Sequence, residues 1–298
     1  MKTTHIKILA LLSATLLISS CSTTIFISKP LPPEIAIDQD GQKMVIQNFF
    51  DYTQKTNVKE KHSEVFKTGT ETFSRSLAEY LSGSDMIDVT IGDSLVKSES
   101  GRMLSEILSP EYITSTCEYF GADLLLAFDS LFIDFDWETE VEEYDDGSKS
   151  KTKHFFLQLR PYLSLYKSDG TLIDRSFIYL EHHYSSRPTL SGLITIKPAL
   201  IKAIDEVILL SNDAGVEYGA KFFEKIGTFP YKVYNGKPFD ISFRLMLREQ
   251  WADAIRDLLP LAESTDSKTA KRAANNLYVA YSGLGDEVSA AEWLKKSR

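Results

Sequence analysis

Between Leu131 and Glu138 the chain alternates: Leu131, Ile133, Phe135 and Trp137 take one set of positions, and Phe132, Asp134, Asp136 and Glu138 take the other. A repeat of two residues is the mark of a strand with one face against a core and the other in water. β-branched and aromatic content predicts two earlier strands, in KMVIQNFFDY (43–52) and MIDVTIGDSL (86–95). Helical spacing replaces alternation in HSEVFKTGTETFSRSLAEYLSGS, where Phe66, Phe73, Leu77 and Leu81 share a face and Gly83 follows the end. A second helix is predicted in SPEYITSTCEYFGA, with Ser109 as N-cap, Pro110 at its first position and Gly121 as its stop. From Asp123 to Ser186 run three long strands, with turns at Asp146-Gly147 and Asp169-Gly170. A helix follows over about Lys197 to Phe223. The order β-α-β-α-β-β-β-α predicts an α+β fold. Its mixed sheet joins early crossover pairs to a late antiparallel meander, in a domain spanning 35–238.

The first twenty residues behave differently. Lys2 and Lys7 precede an uncharged run of 11 residues, Ile8 to Ile18, and no acidic residue occurs before Cys21. The run is too short for a spanning helix, which needs about 20 apolar residues. It reads as a cleaved signal peptide over 1–20. Ile18-Ser19-Ser20-Cys21 resembles the bacterial lipobox. That resemblance implies that Cys21 is acylated, becomes the first mature residue, and anchors the protein to a membrane through its lipid. Ser22 stands where an inner-membrane retention signal has aspartate, and STTIF lacks the acidic cluster of surface-export signals. By the same resemblance the protein is an outer-membrane lipoprotein facing the periplasm. SKPLPPEIAID reads as part of a lipidated tether over 21–34.

YFGADLLLAFDS, running from the second helix into the third strand, resembles the α/β domain of the curli-secretion lipoprotein and of the N-terminal part of TolB. The overall plan resembles an uncharacterised class of Bacteroidota lipoproteins that pairs this domain with tetratricopeptide helices. Residues 239–298 carry the second half of that likeness: Trp251, Ala254 and Leu258 in one helix, then Leu277, Tyr281, Gly285, Ala290 and Leu294 across a pair. Ala254 and Ala290 lie 36 positions apart, near the family period of about 34. A run of fewer than three repeats is expected to lean on the preceding domain or on a partner.

Removing residues 1–20 leaves 31 basic and 42 acidic residues, a charge of −11. That balance opposes nucleic-acid binding. Lipidation at Cys21 leaves Cys117 without a disulfide partner, and its place on the Ile113–Cys117–Phe120 helix face makes it a small core residue.

The acidic strand invites a calcium reading, but alternate strand positions stand about 6.5 Å apart and cannot close on one ion. If Asp146-Gly147 centres a two-residue turn, Glu142 faces Lys151 and Glu140 faces Lys153. Glu138 then meets Phe155, and a β-bulge near the hairpin base is needed to restore the faces. No carboxylate pair stands out for glycoside hydrolysis. His182 and His183 point to opposite faces, and His62 and His154 have no ligand spacing, so no metal site is expected. There is no nucleophile elbow, P-loop or dinucleotide fingerprint. No catalytic residue and no cofactor are expected. The leading expectation is a non-enzymatic scaffold, assembly or interaction factor with an envelope protein partner. The alternative is a ligand-binding or hydrolytic lipoprotein acting on envelope glycans, and the placement of Asp134, Asp136 and Glu138 separates the two.

Overall fold

The computed structural model describes residues 22–37, 41–52, 60–83, 87–92, 106–186, 189–190 and 200–298. Residues 1–20, read above as a signal peptide, and Cys21 lie outside the described residues, as does the side chain of His62. The chain forms two units, Pro33–Phe223 and a second made of the chain up to Pro32 together with Glu224–Arg298. Strand β1 (Ser22–Leu31) belongs to the second.

In the first unit β2 (Gln42–Asn48), α1 (Glu60–Ser82), β3 (Ile87–Ile91), α2 (Pro110–Phe120), β4 (Leu124–Glu143), β5 (Lys149–Lys167), β6 (Leu172–Phe177), β7 (Leu180–Ser185) and β8 (Thr189–Leu190) lead to α3 (Ile204–Ala220). The sheet order is β3-β2-β4-β5-β6, with β7 and β8 also pairing with β5. β2 runs parallel to β3 and β4, and the remaining pairs are antiparallel. The fold class is α+β with a mixed sheet, as the element order requires.

Helices α1 and α3 supply Phe73, Leu77, Leu81, Val207, Ala214 and Tyr218 to a core completed by Leu126, Phe128, Leu131, Leu157 and Leu159 of the sheet. α2 covers part of the opposite face, where Ile113 and Cys117 meet Val45, Leu125 and Tyr166. Its ends follow the expected chemistry. Ser109 Oγ accepts from Tyr112 N at 3.3 Å, and Gly121, at φ 61°, donates back to the last turn.

Both hairpins form at the Asp-Gly signals, and the loop at Asp146-Gly147 is one residue longer than the two-residue turn considered there. Tyr144 N donates to Ser148 O at 2.9 Å and Gly147 N to Tyr144 O at 2.8 Å, with Gly147 at φ 78°. Lys167, Gly170 and Thr171 repeat this, with Gly170 at φ 91°. Glycine closes a three-residue turn in the left-handed region rather than centring a two-residue one. The register therefore shifts: Glu142 faces Ser150, Glu140 faces Thr152 and Glu138 faces His154, in place of the expected Lys151, Lys153 and Phe155. No bulge is needed at the hairpin base, and the one in this pair lies between Phe128 and Ser130.

The third meander strand is interrupted between β6 and β7. Pro161 O accepts from Ile178 N at 3.3 Å, but proline has no N–H to return, so one ladder bond is missing there.

The second unit departs most from expectation. The segment read as a tether is β1, paired antiparallel over its whole length with β9 (Lys225–Tyr234). β9 thus belongs with the helices that follow and not, as the 35–238 boundary had it, with the sheet. Alternation explains this strand: Ile25 and Ile27 are buried, while Thr24, Phe26 and Ser28 are exposed. After β9 come α4 (Asp240–Leu247), α5 (Trp251–Ala262), α6 (Ser267–Leu284) and α7 (Glu287–Ser297). Ala254, Leu258, Leu277 and Ala280 share a core with Ile25, Ile27 and Val233. The helices bury their apolar side on this ribbon. Trp251, Tyr281 and Trp293 pack at its margin. Lys29 Nζ donates to Glu287 Oε1 at 2.6 Å. Among the described residues no helix is long and apolar enough to cross a membrane.

Candidate functional site on the open sheet face

The face of the meander carrying the acidic positions is exposed along β4. Register places Phe132 beside Arg160, Asp134 beside Gln158, Asp136 beside Phe156 and Glu138 beside His154. Tyr162 of β5 faces Phe177 of β6.

These positions form two groups. The first is an aromatic row across three strands. Phe132 meets Tyr162 edge-on with ring centroids 5.3 Å apart, and Tyr162 stacks on Phe177 at 5.2 Å. Phe132 is 36% exposed and Phe177 50%, so the row is a surface and not a core. Beside it Asp129, Leu163, Arg175 and Ser176 join Tyr162 and Phe177 around a hollow of about 250 Å³. Ser164 Oγ donates to Asp129 Oδ2 at 2.5 Å, and Arg175 Nη2 to Glu106 O at 3.1 Å.

The second group is polar. Asp134 pairs with Arg160, and Glu140 Oε2 lies 2.9 Å from His154 Nε2, whose Nδ1 is 2.9 Å from Ser185 Oγ. Exposed pairs of this kind contribute about 0–1 kcal/mol each. Asp136 accepts from the next backbone N–H, that of Trp137, at 2.7 Å. Glu181 accepts from Tyr179 Oη at 2.6 Å, and that bond raises the phenol above its ordinary value of 10.0.

Asp134, Asp136 and Glu138 therefore stand along an open strand, and none lines the hollows of about 250, 380 and 710 Å³. His182 and His183 do take opposite faces. His182 Nδ1 lies 2.7 Å from Glu206 Oε2 on α3, while His183 stacks on Phe156 with centroids 4.6 Å apart. His154 and His183, unlinked by spacing, come within 5.8 Å through strand pairing. Among the described residues no three His, Cys, Asp or Glu side chains gather as metal ligands. Cys117 is buried. Desolvation first, and the nearby Asp123 carboxylate second, push its thiol up to about 11, away from nucleophilic chemistry.

The aromatic row escaped the sequence reading because its members lie on three strands. The alternation around Phe132 was the only local signal, and the partners follow only once the loop lengths fix the register.

The fold is thus a mixed-sheet α+β unit with one partly open face. Residues 38–225 match a domain of unknown function (DUF8603), and the chain belongs to that family. Among solved structures it is similar to a neuraminyllactose-binding hemagglutinin homolog from Helicobacter pylori, at 14% identity and a TM-score of 0.29, covering 61% of this chain and 85% of that one. It is also similar to a minor lipoprotein from Acinetobacter baumannii, at 9% identity and a TM-score of 0.24, covering 61% and 87%. Likenesses this low assign no function. No curated protein matches the chain.

Proposed function

We propose that the protein is a lipid-anchored envelope protein, held at the periplasmic side of the outer membrane through Cys21. It acts without catalysis, presenting the open sheet face to another envelope protein. The observation that carries the reading is the Phe132–Tyr162–Phe177 row, kept exposed beside a run of carboxylates. Exposed aromatics framed by polar groups are how interaction surfaces are built. Residues 33–223 hold 32 acidic and 18 basic residues, so the partner surface is basic. The tetratricopeptide likeness of α5, α6 and α7 belongs to the same reading, as a support for assembly.

The test compares crosslinked pull-downs from membranes of the wild type and of Phe132→Ser/Phe177→Ser. Both side chains are exposed, so folding is retained, and the partner should be lost by about tenfold or more, as for a hot-spot pair. An unchanged partner set sinks the reading. Cys21→Ser should release the protein from the membrane fraction, and sedimentation at wild-type levels sinks the anchor.

A second reading has its own observation: Tyr162 and Phe177 line a hollow together with Asp129 and Arg175. Ring faces next to charged hydrogen-bonding groups suit an envelope glycan unit. Calorimetric titration with peptidoglycan disaccharides, showing heat that Phe177→Ser abolishes, would select it.

A further inference from the structure

We infer that the outer face of the β1–β9 ribbon lies against an anionic lipid surface, an inference that rests on the lipid anchor proposed above. Residues opposite one another in the ladder share a face. On the side away from the helices Thr24 faces Lys232, Phe26 faces Pro230, Ser28 faces Thr228 and Pro30 faces Ile226. Phe26 is 69% exposed and Ile226 70%. This stretch carries no carboxylate, and its one charge is Lys232.

Three observations select lipid as the occupant. Ser22, the first residue of β1, follows Cys21 directly, so no slack separates the acylated residue from the ribbon. At about 3.4 Å per residue, Phe26 stands within about 17 Å of the anchor. The charge of the chain is also unevenly divided. Residues 22–32 with 224–298 carry 13 basic against 10 acidic side chains, whereas residues 33–223 carry 18 against 32. An anionic surface attracts the unit that bears the anchor and repels the other. Finally, a flat apolar strip edged by lysine is the composition that settles at a headgroup boundary. The acyl chains fix one end of the ribbon at the bilayer, and a ribbon lying on the surface adds contacts that hold the protein in one orientation.

The experiment uses the full acylated chain with Cys117→Ala and a polarity-sensitive fluorophore at Ser28→Cys. The comparison carries the label at Asp145→Cys, on the exposed hairpin tip of the acidic unit. Both are reconstituted on vesicles of phosphatidylglycerol with phosphatidylethanolamine. The label at position 28 should emit at shorter wavelength and be quenched by aqueous iodide about threefold less than the label at 145, as for a group at the interface. Phe26→Ser/Ile226→Ser should abolish the protection without releasing the protein. Equal quenching at 28 and 145 on vesicles that still carry the protein overturns the inference and leaves the anchor standing. An unmodified N-terminal mass with no vesicle binding overturns both. Protection at position 28 that persists without vesicles and rises with protein concentration assigns the face to a second copy of the chain and likewise overturns the inference.

Discussion

Cys117 and Gly215 show how little freedom single side chains have inside these cores. The Cys117 thiol ionises at about 11 in the folded protein against an ordinary 9.0. A group whose folded value is raised contributes its full stability below the unfolded value and loses it as pH climbs through the folded one. The urea midpoint should therefore fall between pH 9 and about pH 11, and Cys117→Ala should flatten that fall. Gly215 lies where α3 crosses α1. A methyl there would stand 2.8 Å from Phe73 O and 2.9 Å from Leu77 N, which are backbone atoms and cannot turn aside. Gly215→Ala should cost about 1–3 kcal/mol by forcing the helices apart, read as a lowered melting temperature with the secondary structure kept.

Elements were legible where their signals are local. The Ser109 cap, the Gly121 stop and the apolar face of α1 each depend on residues within a few positions, and all are present. What failed depends on distant partners. The tract from Ser22 to Leu31 holds a proline, Pro30, and no obvious helix or hairpin signal, and only the presence of β9 makes it a strand. The hairpin registers turned on whether glycine occupies the middle or the end of its turn, a choice the Asp-Gly pair leaves open. The aromatic row needed both registers at once. The helices of the second unit test the same dependence. Leu277 is fully buried among Ala254, Leu258 and Ile27, and Leu277→Asp places an unpaired charge there. The expected cost is on the order of 3–5 kcal/mol. Circular dichroism should show loss of part of the helical signal while the sheet unit still melts cooperatively.

At the scale of the whole chain, residues 33–223, which hold nearly all of the family-matched segment, are an insertion within the second unit. Ile35 N donates to Lys221 O at 3.0 Å, so the two ends of that segment are tied to each other, and just beyond them Leu31 faces Lys225 across the ribbon. Expressed alone, residues 33–223 should fold with a single melting transition. A chain lacking residues 22–31 should lose the ordered core of residues 224–298, because Ile25 and Ile27 go with them. Limited proteolysis reads both outcomes, and a protease-resistant 224–298 in the shortened chain would refute the second.

The ribbon also imposes an order of events in time. Ser28 and Thr228 face each other from 200 residues apart, so β1 leaves the ribosome long before its partner strand has been made. Closing so long a loop from a disordered chain is entropically costly, whereas closing it after the insert has folded and joined its own ends is cheap. The protein should therefore mature from the middle outward. In refolding followed with single-tryptophan variants, Trp137 should recover its native signal before Trp251, and slowing the insert with Gly215→Ala should delay Trp251 as well.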